Sequence, residues 1–142
     1  MQSSNWFDKL ESTLGYFDVA ISFSGDRNDL ATKIAELGTY YDQRCYLFTN
    51  EVIRQSGFNI YNVMEFVYAQ TPAAVILNSP KYRATRPTQF EFSKIVSSTS
   101  VERILVIECG GKVLNIQNKC VEMVNSLDFE RVIRFLQNVQ SS

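Results

Sequence analysis

The chain has 142 residues, of which 45% are hydrophobic and 20% charged, and its formal net charge is −1. This length and composition are typical of one globular domain; they argue against a disordered or fibrous chain and against a basic nucleic-acid-binding surface. Because the sequence contains no histidine, histidine-based nucleophilic or acid–base catalysis and metal sites with histidine ligands are excluded.

The cysteines and the apolar runs favour a cytoplasmic protein. Cys45, Cys109 and Cys120 form no C-x-x-C pair, and their number is odd. This pattern argues against a disulfide scaffold or a structural zinc site, so we expect three inert thiols in a reducing compartment. The apolar runs have the length of strands, and no basic segment precedes an apolar core at the N-terminus. We therefore expect neither a membrane span nor a signal peptide.

The first part of the chain predicts a helix, a buried strand and a second helix. Residues Ser3–Leu14 have the pattern of a short amphipathic helix that Gly15 ends. Residues Phe17–Phe23 form an almost continuous apolar run, which is typical of a parallel strand covered on both faces. After a break at Ser24–Asp26, an apolar stripe from Leu30 to Leu37 predicts the second helix.

The same alternation continues to the end of the chain. Further strands are predicted from short apolar runs, of which the last is a candidate edge strand: Cys45–Phe48, Ala73–Leu77, Ile104–Ile107 and Val121–Val124. Further helices are predicted from apolar stripes within these ranges: Ile60–Val67, Thr88–Ser97 and Val132–Val139. Two long loops are expected, Thr49–Gly57 and Asn78–Pro87.

Strands that alternate with helices form a parallel sheet through right-handed crossovers, with helices on both faces. We therefore expect an α/β fold, a flavodoxin-like three-layer sandwich with a five-stranded, mostly parallel sheet in the order 2-1-3-4-5. Ligands of such sheets bind beyond the carboxyl ends of the strands, where the strand order reverses. That point lies between the first and third strands, so Ser24–Asn28 and Asn78–Pro87 should face each other across a crevice.

Two other five-stranded folds with this layout fit the residues poorly. A phosphoacceptor receiver domain needs an aspartate at the end of the third strand, where this sequence has Leu77-Asn78. A flavodoxin-type phosphate loop needs hydroxyl groups and glycine, and Ser22-Phe23-Ser24-Gly25 begins in that way. However, the carboxylate of Asp26 follows at once and would repel a phosphate.

The segment Phe17–Arg27, FDVAISFSGDR, resembles the opening motif of Toll/interleukin receptor (TIR) domains, particularly bacterial ones. Asn78-Ser79 with Tyr82 is similar to the segment after the family's third strand, and Thr88–Glu91 is similar to its T-x-x-E helix opening. Thr49–Gly57 lies in the place of its interaction loop. The resemblance implies a TIR domain over residues 16–142, preceded by an N-terminal helical extension over residues 1–15.

The resemblance also implies a reaction and a site. Family members with a glutamate at this helix start cleave NAD⁺ at the nicotinamide–ribose bond, whereas members without it act as assembly adaptors. Glu91 is the matching residue, so the resemblance implies that it is catalytic. The implied substrate-binding residues are Phe23, Ser24, Gly25, Asp26, Arg27, Ser56 and Tyr82. NAD⁺ is the substrate, and neither a separate cofactor nor a metal is implied.

This reaction does not need histidine. Nicotinamide in NAD⁺ is already a cationic leaving group, and the transition state is a ribosyl oxocarbenium ion that one carboxylate can stabilise. Attack by water gives ADP-ribose, and attack by the substrate's own adenine gives a cyclic product. Lys81, Arg83 and Arg86 precede Glu91, where they could meet a pyrophosphate or simply be solvated.

Several candidate residues also have a purely structural interpretation. Thr88 as N-cap with Glu91 three residues later would make a capping box. Gly25 would serve the tight turn that leaves the first strand, and Asp26 would cap the following helix or pair with Arg27. Phe23 could belong to the core. Tyr82 could stack on a base or pack over Pro80.

The sequence leaves three possible classes of function. The first is a bacterial-type NAD⁺-cleaving effector in antiviral defence or host interaction, activated by an unidentified partner or sensor, whose head-to-tail self-association completes the site. The second is an adaptor that binds other TIR domains without chemistry. Two departures from the family favour it: Pro87 stands where the family's bacterial enzymes often have tryptophan, and Ser56 stands where the interaction loop usually has tryptophan or proline before its glycine. A small nucleotide-binding module of the same fold is the third possibility.

Overall fold

The computed structural model describes residues 5–47, 59–82, 84–110, 122–125 and 128–141. The predicted interaction loop Thr49–Gly57, with its candidate site residue Ser56, lies outside the described residues, as do Arg83 and Cys120. The described helices are α1 (Asn5–Leu14), α2 (Asn28–Tyr40), α3 (Ile60–Gln70), α4 (Arg86–Ser98) and α5 (Phe129–Ser141). The described strands are β1 (Val19–Ser22), β2 (Cys45–Leu47), β3 (Ala73–Asn78), β4 (Ile104–Glu108) and β5 (Glu122–Asn125).

The five strands form one parallel sheet in the order β2-β1-β3-β4-β5, which confirms the predicted topology. All residues of β1 and β3 are buried, as the continuous apolar runs predicted. β2 and β5 are the edges. The chain leaves β1 toward β2 on one side and later returns to β3 on the other side, so the strand order reverses between β1 and β3.

Alternate residues of the strands face two separate helical layers, because strand side chains point to opposite faces in turn. Ala20 of β1 and Ile76 of β3 belong to the core under α1, α3 and α4. Ile21 and Val75 belong to the core under α2 and α5. This is the predicted three-layer sandwich, and it places Ser22, two residues after Ala20, on the face that α3 and α4 cover.

The N-terminal helix is packed into the first of these cores. Leu10 of α1 is fully buried there, and Leu14 packs against the same cluster. Gly15 ends α1 with a φ of +72°, as predicted, and a Cβ at this residue would lie 2.7 Å from the guanidinium of Arg44. None of the helices in the described ranges is long and apolar enough to cross a membrane.

Helix α4 begins two residues before the predicted start at Thr88. Thr85 has the extended backbone of an N-cap residue, Arg86 is the first helical residue, and Pro87 follows in the first turn. Proline is tolerated there because the first N–H groups of a helix have no partner within it. The earlier start changes the position of each later residue in the helix, which matters for Glu91.

Candidate active site

A pocket of about 610 Å³ opens at the carboxyl end of the sheet, next to the point where the strand order reverses. Its walls come from three parts of the chain: the segment after β1, the first half of α3 and the start of α4. The lining residues are Phe23, Ser24, Gly25, Asn28, Ile60, Met64, Thr85, Pro87, Thr88 and Glu91. The volume lies within the range of small-molecule sites, and its place agrees with the predicted crevice.

Glu91 forms part of the pocket wall, although its side chain is almost completely buried. The residue is 1% exposed, and its Oε1 accepts a hydrogen bond of 2.8 Å from Ser22 Oγ. Its Oε2 is buried and has no hydrogen-bond partner among the described residues. The Glu91 carboxylate in the pocket wall therefore has one oxygen held by Ser22 and a second, buried oxygen without a hydrogen bond among the described residues, although the Tyr68 hydroxyl also acts on the carboxyl.

The surroundings of Glu91 favour its neutral form more than water does. Burial raises the pKa of the Glu91 carboxyl from 4.5 to about 7, against the opposing effect of the Ser22 and Tyr68 hydroxyls. The group is thus divided between its ionised and neutral forms at neutral pH. Carboxylates tuned in this way are typical of catalytic sites, although structural networks also produce such shifts.

The predicted capping box of Thr88 and Glu91 is wrong. Thr85 is the N-cap of α4, so Thr88 is the third residue of the helix and Glu91 the sixth. The Thr88 hydroxyl is within hydrogen-bonding distance of the carbonyl oxygens of Tyr82 and Thr85, which ties the turn after β3 to the helix. Glu91 is consequently free of any capping role, and its carboxylate faces the end of β1.

Tyr82 lies behind the pocket wall and not in the pocket. It is 1% exposed, and its hydroxyl oxygen is 2.6 Å from Ser22 Oγ. Burial raises the pKa of its phenol, with a further contribution from the charge of Glu91. Neither base stacking nor packing over Pro80, the two roles considered from the sequence, describes this buried position beside Ser22.

The carboxylate of Asp26 is held within the segment after β1. Its Oδ1 accepts hydrogen bonds from the hydroxyls of Ser24 and Ser79, the latter at 3.0 Å. Burial raises the pKa of Asp26, but these hydrogen bonds and the charge of Arg27 outweigh it, so the pKa lies below its ordinary value. Asp26 does not cap α2 as expected, because its side chain bonds to hydroxyls and the N-cap residue of α2 is Arg27.

Arg27 connects the segment after β1 to the neighbouring strand. Its Nη2 donates a hydrogen bond of 2.8 Å to the carbonyl oxygen of Cys109, just beyond the end of β4. The guanidinium acts on Asp26 through its charge. Arg27 therefore links the segment after β1 to the end of β4, whereas Asp26 links it to Ser79 after β3, and neither residue belongs to the pocket lining given above.

Gly25 is part of the pocket lining but is not required by a strained turn. Its φ lies outside the left-handed region, and a Cβ added there would meet no atom within 4 Å. Gly25 does lie in a tight turn after β1, as expected, but this short 3₁₀ turn at Gly25–Arg27 does not need the conformational freedom of glycine. Because glycine has no side chain, it leaves open space at this part of the pocket wall.

Phe23 combines its two predicted roles. It is 8% exposed, belongs to the core under α2 and α5, and also lines the pocket. Sequence reasoning missed Ser22, Ile60 and Met64, whereas Asn28 lies in the loop that it placed at the crevice. Ser22 had a signal, because a serine in a continuously apolar strand is buried and needs a hydrogen-bond partner. Ile60 and Met64 looked like ordinary core residues of an amphipathic helix.

Comparison with known proteins supports the fold of the chain. No protein-family model matches the sequence, and no curated protein matches it. Among solved structures, the TIR domain of the Toll-related receptor TRR-2 from Hydra magnipapillata is similar, with a TM-score of 0.64 and 13% sequence identity. The match covers 88% of this chain and 96% of that domain. Sheet order, helical layers and this likeness over most of both chains together show that the protein has the fold of a TIR domain.

Proposed function

We propose that this domain cleaves NAD⁺ between nicotinamide and ribose, with Glu91 as the catalytic residue. The observation that carries the proposal is Glu91 Oε2, a buried carboxylate oxygen in a pocket wall without a hydrogen-bond partner among the described residues. Leaving such an atom unpaired is costly, and a catalytic role is one of the recognised reasons for retaining it. A ribose hydroxyl or a positive charge on the ribose ring would be the missing partner.

The reaction needs only groups that the pocket and water supply. The bond between the ribose carbon and the nicotinamide nitrogen breaks, and nicotinamide leaves as a neutral molecule with the bonding electron pair. The ribose becomes an oxocarbenium ion, whose positive charge the Glu91 carboxylate stabilises. A water oxygen then bonds to the same carbon and loses a proton to solvent, which gives ADP-ribose. If an adenine nitrogen attacks instead of water, the product is cyclic.

The composition of the pocket walls supports a ligand with one flat apolar part and one hydroxyl-rich part. Ile60 and Met64 offer an apolar surface from α3, while Asn28 and Thr88 offer polar atoms from α2 and α4. Nicotinamide riboside has this division. Sites that combine apolar walls with a few polar groups are the usual form of small-molecule pockets.

The other candidate site residues have different proposed roles, which depend on where they lie relative to the pocket. Phe23, Ser24 and Gly25 would contact the substrate directly, since they line the pocket. Asp26 and Arg27 would support the loop that carries these residues, and Ser56 of the interaction loop stays a proposed contact. Tyr82 would act from behind the wall, through Ser22.

We further propose that association between copies of the domain, or with other TIR domains, completes the site and starts catalysis. An activity released in this way suits antiviral defence or host interaction, with a partner or sensor as the trigger. The alternative is an adaptor that associates without chemistry. Pro87 favours it, because it stands in the pocket lining where the family's bacterial enzymes often have tryptophan.

The proposed function is tested by following nicotinamide release from NAD⁺ by chromatography over a wide range of protein concentration. We expect the rate per molecule to rise with concentration, in parallel with association measured by light scattering on the same samples. Chromatography of the second product distinguishes ADP-ribose from a cyclic product. If assembled protein releases no nicotinamide, the enzyme proposal is wrong and the adaptor is supported.

The pH dependence of the rate is a separate prediction. Because the reaction uses the carboxylate form of Glu91 and its pKa is about 7, the rate should rise as the pH is raised and level off above pH 8. We expect the rate at pH 6 to be about tenfold lower than the plateau. Circular dichroism at each pH controls for unfolding. A rate that stays constant from pH 6 to pH 8 would contradict the assignment.

A further inference from the structure

Glu91 stands at the end of a row of buried hydroxyl groups that come from three separate elements. Ser22 Oγ at the end of β1 lies 2.8 Å from Glu91 Oε1 in α4 and 2.6 Å from the hydroxyl oxygen of Tyr82, in the turn after β3. Each of the three residues is at most 1% exposed. The row is therefore closed off from water and connects residues that are 60 and 69 positions apart in the chain.

The number of protons sets the direction of these hydrogen bonds. A serine hydroxyl has one proton, and in Ser22 it is donated to Glu91 Oε1. Ser22 Oγ must therefore accept the proton of the Tyr82 hydroxyl. The chain runs from Tyr82 through Ser22 to Glu91, and all of its donors point toward the carboxylate.

This direction of the hydrogen bonds favours the ionised form of Glu91 and disfavours the form that carries a proton on Oε1. If Oε1 carried a proton, Ser22 would have to accept it and turn its own proton toward Tyr82. The Tyr82 proton would then lose the acceptor that it has in this structure, and a buried donor without a partner is costly. The other titratable groups that face Glu91 are Tyr46 of β2 and Tyr68 of α3, and burial raises the pKa of both phenols, so they remain neutral. The Tyr68 hydroxyl also acts on Ser22 and on the Glu91 carboxyl, where it favours the ionised form as Ser22 does.

We propose that Ser22 is the positioning residue of Glu91, and that Tyr82 orients the Ser22 hydroxyl so that Oε1 is held and Oε2 faces the substrate. The catalytic role of this positioning rests on the proposed function, whereas the existence of the hydrogen-bond chain does not. A merely space-filling role for these groups is hard to reconcile with their burial, since alanine and phenylalanine would fill similar volumes without buried polar atoms.

The hydrogen-bond chain is tested by titrating the Glu91 carboxyl with ¹³C NMR. The titration is carried out on the wild type and on the variants Ser22→Ala, Tyr82→Phe and Ser22→Thr. The Glu91→Gln variant identifies the signal by its loss. In Ser22→Ala we expect the Glu91 carboxyl to become a weaker acid, with an acid dissociation constant about tenfold lower than in the wild type. Tyr82→Phe should act in the same direction with a smaller effect, and Ser22→Thr, which keeps the hydroxyl, should stay close to wild type. An unchanged titration of Glu91 in folded Ser22→Ala or Tyr82→Phe would overturn the proposal.

Kinetics at pH 9, where Glu91 is ionised in the wild type, provide the second measurement. Lost positioning should lower kcat about tenfold or more in Ser22→Ala with little change in KM, and Ser22→Thr should restore most of it. The titration needs no enzymatic activity. A wild type that cleaves no NAD⁺ but shows the expected titration shifts would thus reject the proposed function and keep the hydrogen-bond chain.

Discussion

Replacing Glu91 with glutamine is expected to reduce nicotinamide release at least ~100-fold and at the same time to make the protein more stable at pH 8 than the wild type. The activity falls because the amide has no negative charge for the ribosyl cation. The fold survives because the amide oxygen accepts the hydrogen bond that Ser22 Oγ donates to Oε1, 2.8 Å away.

The gain in stability follows from the buried charge that the substitution removes. The pKa of Glu91 is raised from 4.5 to about 7 in the folded protein. Between these two pH values the folded protein holds a proton that the unfolded chain has already released, so the free energy of unfolding of the wild type falls as the pH rises. The glutamine variant has no such dependence. The stability difference should therefore grow by about 3 kcal/mol between pH 4 and pH 8.

Urea unfolding at several pH values measures this difference. Glu36→Gln, at an exposed position of α2, is the matched control and should change stability by much less. A difference between wild type and Glu91→Gln that is the same at pH 4 and pH 8 would show that the Glu91 carboxyl is not buried at a raised pKa.

Replacing Gly25 with leucine is expected to block the pocket and leave the fold intact. The backbone of Gly25 is outside the left-handed region, and a Cβ there meets no atom within 4 Å, so the substitution causes no strain in the domain. Because Gly25 lines the pocket, the larger side chain would compete with the ligand for space. We expect kcat/KM for NAD⁺ to fall on the order of 100-fold.

The series from glycine to alanine to leucine separates this steric effect from an effect on folding. Gly25→Ala adds one methyl group in open space, and we expect it to retain most of the activity and the full stability. Thermal unfolding of the three proteins should be similar. If Gly25→Leu is folded and as active as wild type, the ligand does not pass over this part of the pocket wall.

Local sequence patterns were sufficient to predict the helices and strands, because the formation of each element depends on residues that are neighbours in the chain. The apolar runs Phe17–Phe23 and Ala73–Leu77 predicted buried parallel strands, and the observed strands β1 (Val19–Ser22) and β3 (Ala73–Asn78) are completely buried. The apolar stripe within Ile60–Val67 predicted which face of α3 is buried. Right-handed crossovers leave few arrangements of such strands, and the expected order 2-1-3-4-5 is the one observed.

The start of α4 shows where local patterns were misleading. T-x-x-E is a common start of a helix, and by itself it predicts that Thr88 is the N-cap. The N-cap is Thr85, and Arg86 and Pro87 form the first turn. The three-residue shift of the N-cap removes Glu91 from the helix end, so the nearest groups to its carboxylate belong to other elements.

The sequence by itself determined which strands and helices form, and it singled out Glu91 as the acidic residue to examine. Only the tertiary structure decided how the site is built: Ser22 and Tyr82 form the hydrogen-bond chain to Glu91, and Ile60 and Met64 line the same pocket. It also decided that Arg27 of the segment after β1 is bonded to Cys109. The physical reason is distance along the chain. Secondary structure depends on residues a few positions apart, whereas these contacts join residues that lie tens of positions apart and meet only when the sheet has assembled.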